Sequence, residues 1–473
     1  MNFYQFIISR LNGRDIEKEV DYYLGLVRKG IAGFIIFGGE LNTVKQGIKK
    51  LQREADNRLI IASDLERGLG QQLEGGTIFP PAMAIAKAIK NSKLKVQNSK
   101  LKILRDVFKT VAIEARYAGI NTIFAPVLDI NTNPKNPIIS TRAFGESAES
   151  VSFFGCEMIK IFQSYGITAC GKHFPGHGDT ETDSHIKLPK IKKDIKTLSK
   201  TELAPFRNAV KAGVRMIMLG HLNVPALDPS GVPVSLSQKA VSYLRNKLGF
   251  KGVIITDAMN MGGIGKYSEE EASFMTLNAG VDILLHPTDP DRVVAYLEGK
   301  DARCRIQDTR FKRTKTRQFI PDFSEHKRLA EKITKMAIKI DGRLKPLHFF
   351  APLLIILSDD ADKKGITLYT GLKSGYHSLK CLHFKQGEDL KLDSVLKGRD
   401  VIVAVFSCIR AWKGGASPWL LKCITELKDK AEIFISFGSP YLIDNIRGDV
   451  IKIYAYWDSD SAQKAVAEVI MKG

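Results

Sequence analysis

Three histidines and two aspartates fall within the fourteen residues from Lys172 to His185, KHFPGHGDTETDSH. Such a density first suggests a metal site. The spacing argues against its simplest form, because Pro175, Gly176 and Gly178 interrupt any helix and keep His173 and His177 off a shared helical face. No bound metal is expected. What remains is a Gly-hinged loop carrying a titratable pair, Asp183-x-His185. A carboxylate beside an imidazole fixes its tautomer and stabilises its protonated form, making the histidine a usable proton donor near neutral pH. The plain alternative is a polar surface loop with incidental histidines.

Chemistry of this kind needs elements that aim the side chains. Short β-branched apolar runs alternate with helical stretches, the pattern of a parallel α/β fold. Eight strands are predicted: Phe3–Ile8, Gly33–Phe37, Leu59–Ser63, Asn121–Pro126, Gly166–Gly171, Arg215–Leu219, Gly252–Thr256 and Val281–Leu285. Helices are predicted over Asp15–Lys29, Lys102–Tyr117, Ala148–Ser164 and Leu198–Ala212. Eight βα units in about 300 residues point to a closed (β/α)8, TIM-like barrel, whose active site lies at the C-terminal strand ends. Polar residues stand at five such ends: Asp64, Asp129, Lys172–His173, His221, and Asp257 closing the run VIITD. One strand-end aspartate is commonly a helix cap; five converging ends point to a site.

After the turn Pro321–Ser324, residues 325–340 read as an amphipathic helix. Fresh strands are expected at Leu353–Ser358, Asp400–Phe406, Glu432–Phe437 and Val450–Ala455, alternating with helices Pro418–Lys430 and Ser461–Met471. The expected organisation is a barrel over 1–322, a linker helix over 323–344, and a smaller α/β sandwich domain over 345–473.

The 473 residues are 44% hydrophobic and 26% charged, the balance of an ordinary globular protein. No apolar run approaches the length of a membrane span. The N-terminus has no basic segment before its short apolar run, so a cytoplasmic address is expected. Six scattered cysteines without a C-x-x-C pair suggest reduced, packed thiols. The net charge of +20 is spread along the chain without a nucleic-acid signature, and no nucleic-acid or membrane partner is expected. Two basic stretches read as solvated surface: 91–102, NSKLKVQNSKLK, resembling a low-complexity insertion, and 303–317, RCRIQDTRFKRTKTR.

The run KHFPGHGDTETDSH, with ASDLERGLGQQ (62–72), GHLNVPALD (220–228) and VSLSQKAVSYLRNKLGFKGVIITDAMNMGGI (234–264), resembles glycoside hydrolase family 3, and within it the bacterial β-N-acetylhexosaminidase branch that trims cell-wall sugars. FGSPYLI (437–443) and AYWDSDSAQKAVAEVI (455–470) resemble that family's C-terminal domain, so the likeness covers nearly the whole chain. The resemblance implies retaining hydrolysis of terminal β-linked N-acetylglucosamine from cell-wall or chitin-derived fragments, with no cofactor and a small carbohydrate as partner. It makes Asp257 the nucleophile, Asp183 and His185 the acid/base dyad, and Asp64, Arg142, Lys172 and His173 ligands of sugar hydroxyls. A nucleophilic carboxylate and a group that gives and later takes a proton are what retention requires. One departure stands out: Gln72 occupies the place of the arginine in the family's D-x-E-G-G-x-x-x-R. Three other readings remain. A neutral histidine repels anions less than a carboxylate does, which would admit phosphate in place of water and make the chain a β-N-acetylglucosaminide phosphorylase. The others are a β-glucosidase of the same family and a non-catalytic sugar-binding scaffold.

Overall fold

The computed structural model describes residues 1–91, 97–300, 320–344, 352–360, 364–390, 392–408 and 415–472. The basic stretch 303–317 lies outside them, as do 92–96 of the other basic stretch; from Gln97 onward that stretch is the start of the helix Gln97–Tyr117.

The chain divides into two compact units. The first, residues 1–78, 101–136 and 143–327, is a closed barrel of eight parallel strands in chain order. These are β1 (Ile7–Asn12), β2 (Gly33–Phe37), β3 (Ile60–Ser63), β4 (Thr122–Ile123), β5 (Thr168–Phe174), β6 (Met216–Leu219), β7 (Val253–Ala258) and β8 (Ile283–Leu285). Side chains alternate across a strand, so every second residue points to the barrel axis. Ile8, Ile35, Ile60, Ala62, Cys170, Met216, Met218, Val253, Ile255 and Ile283 form one buried cluster on that rule. Continuing the same parity toward the strands' C-terminal ends brings Arg10, Phe37, Asp64, Lys172 and Asp257 to the mouth. The barrel's lower layers are filled with hydrocarbon, so polar chemistry is confined to the layer where it ends.

The helices bury one stripe each. In Ala148–Ser164, Val151, Phe154, Met158, Ile159 and Phe162 are buried, and the Ser147 side chain caps the first turn by accepting from Ser150 N. A cap of this kind contributes about 1 kcal/mol.

The second unit, residues 79–100, 137–142 and 328–473, holds a six-stranded sheet of order β11-β10-β12-β13-β14-β9. Its strands are β9 (Lys339–Asp341), β10 (Leu353–Ser358), β11 (Lys380–Lys385), β12 (Val401–Ser407), β13 (Ile433–Gly438) and β14 (Ile451–Tyr454). All run parallel except β9, which pairs antiparallel with β14. Leu354, Ile356, Ile402, Ala404, Ile433 and Ile435 pack on one face with Leu368 and Leu372 of Ile366–Lys373 and Val466 and Ile470 of Asp460–Lys472. The alternate residues Leu353, Ile355, Val401 and Val403 are buried as well, as in a sheet covered on both sides.

The barrel with an α/β domain after it is thus the architecture expected, with local differences. Phe3–Phe6 is a 3-10 turn, fixed by the Asn2 side chain accepting from Tyr4 N, and the first strand runs four residues later than its apolar residues suggested. Leu198–Ala212 is two helices, Ile195–Lys200 and Leu203–Lys211, and Glu202, buried where they meet, pairs with Lys193 ahead of the first. The helix expected over 325–340 ends at Ala337, since Lys339–Asp341 extends to join the sheet edge. Residues 79–100 and 137–142, within the range expected for the barrel, group with the second unit.

Candidate active site

Asp257 stands near the end of β7 with a side chain 17% exposed. Its own Oδ1 accepts from Ala258 N at 2.9 Å, and His173 Nε2 lies 4.0 Å from its Oδ2. Burial alone would raise its pKa, but His173, His221, the Ala258 amide and His185 outweigh it and hold the carboxyl below the ordinary carboxylate value. The group is therefore an anion throughout the neutral range.

The strand end is itself held. His221, fully buried beyond β6, has Nε2 3.0 Å from Ala258 O and Nδ1 2.7 Å from Ser235 Oγ. A carbonyl only accepts, so Nε2 carries the proton and Nδ1 accepts from the serine hydroxyl. Burial lowers the pKa of His221, in keeping with this neutral tautomer.

Lys172, on β5, is 3% exposed and bridges Asp64 Oδ1 at 2.6 Å and Glu66 Oε1 at 2.8 Å. Its neighbour His173 donates from Nδ1 to Asp129 Oδ2 at 2.7 Å. Asp129 also accepts from the backbone N–H of His173 and of His177. These charges and donors hold its pKa down despite complete burial. Asp129 thus turns His173 so that Nε2 faces Asp257. Glu66 and Asn136 went unassigned in the sequence reading. Glu66 could have been found from its place two residues after Asp64; Asn136 has no local signal.

The loop after β5 carries the second group. His185 Nδ1 lies 2.8 Å from Asp183 Oδ1, which also accepts from His185 N at 2.9 Å. Asp183 is buried, whereas the His185 side chain is 20% exposed. The loop docks on the turn after β7, where Gly262 N donates to His185 O at 3.1 Å. A side chain on Gly262 would stand 2.5 Å from Ile186 O, so the approach requires glycine. The His185–Asp183 pair is thereby anchored five residues along the chain from Asp257.

Its root is equally fixed. Asn136 Nδ2 donates to His177 O and to Thr180 O, both at 2.9 Å. Asp179 meets Lys193 at 3.2 Å, and Lys193 reaches Glu202. Gly178, expected as a hinge, is a packing position: a Cβ there would lie 1.7 Å from Ile130 O. His177 is buried, its pKa pushed down to about 4 chiefly by desolvation, with Nδ1 2.8 Å from Thr180 Oγ1. Among the described residues no group of three or more His, Cys, Asp or Glu is arranged to hold a metal ion, and no helix is long and apolar enough to cross a membrane.

The structure brings together Asp64, Lys172, His173 and Asp257 on strand ends and the Asp183–His185 pair on its loop. Arg142 lies in the short turn Ser140–Arg142, grouped with the second unit, where its Nη1 donates to Ile138 O at 3.0 Å.

The family described as "Glycosyl hydrolase family 3 N terminal domain" matches residues 15–318. "Beta-hexosaminidase A" of Pseudoalteromonas piscicida is 40% identical over 194 residues, 38% of this chain and only 32% of that protein's length. "Beta-hexosaminidase" of Neisseria meningitidis serogroup C (strain 053442) is 32% identical over 276 residues, 57% of this chain and 74% of the relative. The solved structure of a glycoside hydrolase family 3 beta-N-acetylglucosaminidase from Paenibacillus sp. str. FPU-7 is 27% identical with a TM-score of 0.81, covering 100% of this chain and 96% of that one.

Proposed function

The chain belongs to glycosyl hydrolase family 3, and from that premise we propose that it is a retaining glycoside hydrolase releasing terminal β-linked N-acetylglucosamine from cell-wall or chitin-derived fragments. The observation that carries this reading is the pairing of an ionised carboxylate at the barrel axis, Asp257, with a carboxylate-held imidazole, His185, anchored to the turn that follows it.

The steps follow from where charge and protons sit. Asp257 attacks the anomeric carbon as the bond to the leaving oxygen breaks, and His185 gives that oxygen a proton. Asp183 takes the Nδ1–H hydrogen bond and stabilises the imidazolium before transfer. The product of this step is an ester of Asp257 with the sugar. A water then attacks the same carbon, its proton passes to His185, and the carboxylate is released. His173 is near enough to Asp257 to steady its charge in both steps. Lys172 spends its charge between Asp64 and Glu66, so Asp64 is fixed with an oxygen left for a sugar hydroxyl.

The test is a panel of 4-nitrophenyl β-N-acetylglucosaminide and 4-nitrophenyl β-glucoside, each with and without phosphate. Preference for the acetamido sugar, release of free N-acetylglucosamine and no acceleration by phosphate are expected. Sugar 1-phosphate as the main product would make the chain a phosphorylase. Preference for glucoside would overturn the substrate assignment.

A further inference from the structure

The strand end that carries Asp257 is not held by the sheet alone. β6 pairs with β7 as far as Leu219↔Thr256, so Asp257 and Ala258 lie beyond that ladder. On the other flank Ile255 pairs with Ile283 but Ala258 pairs with Leu285, an advance of three residues on β7 against two on β8. Thr256 and Asp257 therefore stand opposite Leu284, a β-bulge at the reacting residue itself. A bulge takes one residue out of the regular ladder and re-aims a side chain.

Two buried side chains span this irregular stretch. Thr256 accepts from Leu285 N at 3.0 Å through Oγ1, which ties β7 to β8 at the bulge. From the β6 side, His221 Nε2 donates to Ala258 O at 3.0 Å. Ala258 is thus gripped twice, because its own N–H donates to Asp257 Oδ1 at 2.9 Å. Holding its carbonyl also holds the amide that orients the carboxylate. Only the tautomer with its proton on Nε2 makes the bond to Ala258; the other would set a lone pair against the carbonyl oxygen. Ser235 selects between them, since its hydroxyl donates to Nδ1 at 2.7 Å. It reaches that place because Val234 N donates to Leu222 O at 2.8 Å, folding the turn Val234–Leu236 back onto His221. Ser235 and His221 are both fully buried, away from bulk water as a competing donor.

We infer that Thr256 and Ser235, the latter through the tautomer of His221, are positioning residues that brace the bulge and fix the direction of the Asp257 carboxylate. The inference rests on the reading of Asp257 as nucleophile and adds what keeps it aimed. A carboxylate held this way meets the anomeric carbon without first losing rotational freedom. The brace acts on the nucleophile and not on proton transfer, so its loss is felt equally whatever the leaving group.

The experiment measures kcat/KM on 4-nitrophenyl β-N-acetylglucosaminide and on N,N′-diacetylchitobiose. Ser235→Ala and Thr256→Val should each lower it about tenfold, by the same factor on both substrates. Ser235→Thr and Thr256→Ser keep the hydroxyl and should restore most of the loss. A loss confined to the disaccharide, or one that the hydroxyl-bearing variants do not restore, overturns the brace. Two resonances read it without turnover. In nitrogen-15 histidine-labelled protein, with His221→Gln for assignment, His221 should be neutral with its proton on Nε2 at pH 7, and Ser235→Ala should shift it toward Nδ1. In carbon-13 aspartate-labelled protein, Asp257 is held low by His173, His221, the Ala258 amide and His185. Its titration midpoint should rise by about half a pH unit in Ser235→Ala as the amide bond loosens. A proton on Nδ1 in the unsubstituted protein, or an Asp257 midpoint that Ser235→Ala leaves in place, overturns the inference. Mass spectrometry after exposure to 5-fluoro-N-acetylglucosaminyl fluoride tests the nucleophile separately. No ester on Asp257, with both resonances responding to Ser235→Ala, would uphold the brace and reject the nucleophile. An ester on Asp257 with neither resonance responding would do the reverse.

Discussion

The two halves of the candidate site are held by different physics. Lys172, His173, Asp64 and Asp257 project from strands whose backbones are locked by neighbours on both sides, and each side chain then meets charged or polar partners at bonding distance. Asp183 and His185 sit on a loop positioned by backbone contacts to Gly262 and by the Asn136 clamp at its root. The half that carries Asp257 is pre-organised by the fold. The half that carries His185 is pre-organised by a few hydrogen bonds to the backbone and to Asn136. Substitutions should therefore separate chemistry from positioning most cleanly on the loop.

The largest effect is expected at the strand-borne half. Asp257→Ala should abolish turnover, by about 10⁴-fold or more, on every aryl glycoside, because no covalent route remains. Activity within tenfold of the unsubstituted protein would remove Asp257 from the proposed role. On the loop, His185→Ala should slow natural disaccharides about 10²- to 10³-fold but 4-nitrophenyl substrates far less, since a good leaving group needs little protonation. Equal losses on both would argue that His185 binds rather than donates. Asn136→Ala tests positioning alone: a fall of about tenfold in kcat on disaccharides with little change in KM, and a smaller fall on 4-nitrophenyl substrates. Losses that do not depend on the leaving group would mean that Asn136 serves only stability.

The smallest expected effect on activity is also the clearest on stability. His177 and His286 have pKa values pushed from 6.5 to about 4. Between those pH values the unfolded chain binds protons that the folded chain refuses. Stability is therefore full above pH 6.5 and declines as pH falls toward 4, on the order of 3 kcal/mol for each histidine. Urea unfolding at pH 7.5 and 4.5 should show the loss, and His177→Asn should flatten it. An unaltered slope would mean that His177 is not buried as the neutral base.

Gly33–Phe37, Leu353–Ser358 and Ala148–Ser164 occupy the ranges their sequence patterns predict, because each is a compact apolar run with clear punctuation. The first strand was misplaced because FYQF is as apolar as the strand that follows. β11 gives no continuous apolar signal, because Lys380 and Lys385 bound it, His383 interrupts it and the strand is only partly buried. Asn136 was illegible because its partners, His177 and Thr180, are more than forty residues away.

Sequence by itself determined which residues could do chemistry and that strand ends would carry most of them, since strand period and residue type are local properties. It also determined that Asp183 lies close to His185, because a single residue, Ser184, separates them. Only the tertiary structure decided how charge is distributed among those residues. Lys172 is neutralised by Asp64 and Glu66, His173 is oriented by Asp129, and Asp257 is held by His221 through Ala258. Pairings of this kind depend on which strands become neighbours when the barrel closes, and closure brings together residues that no sequence window contains.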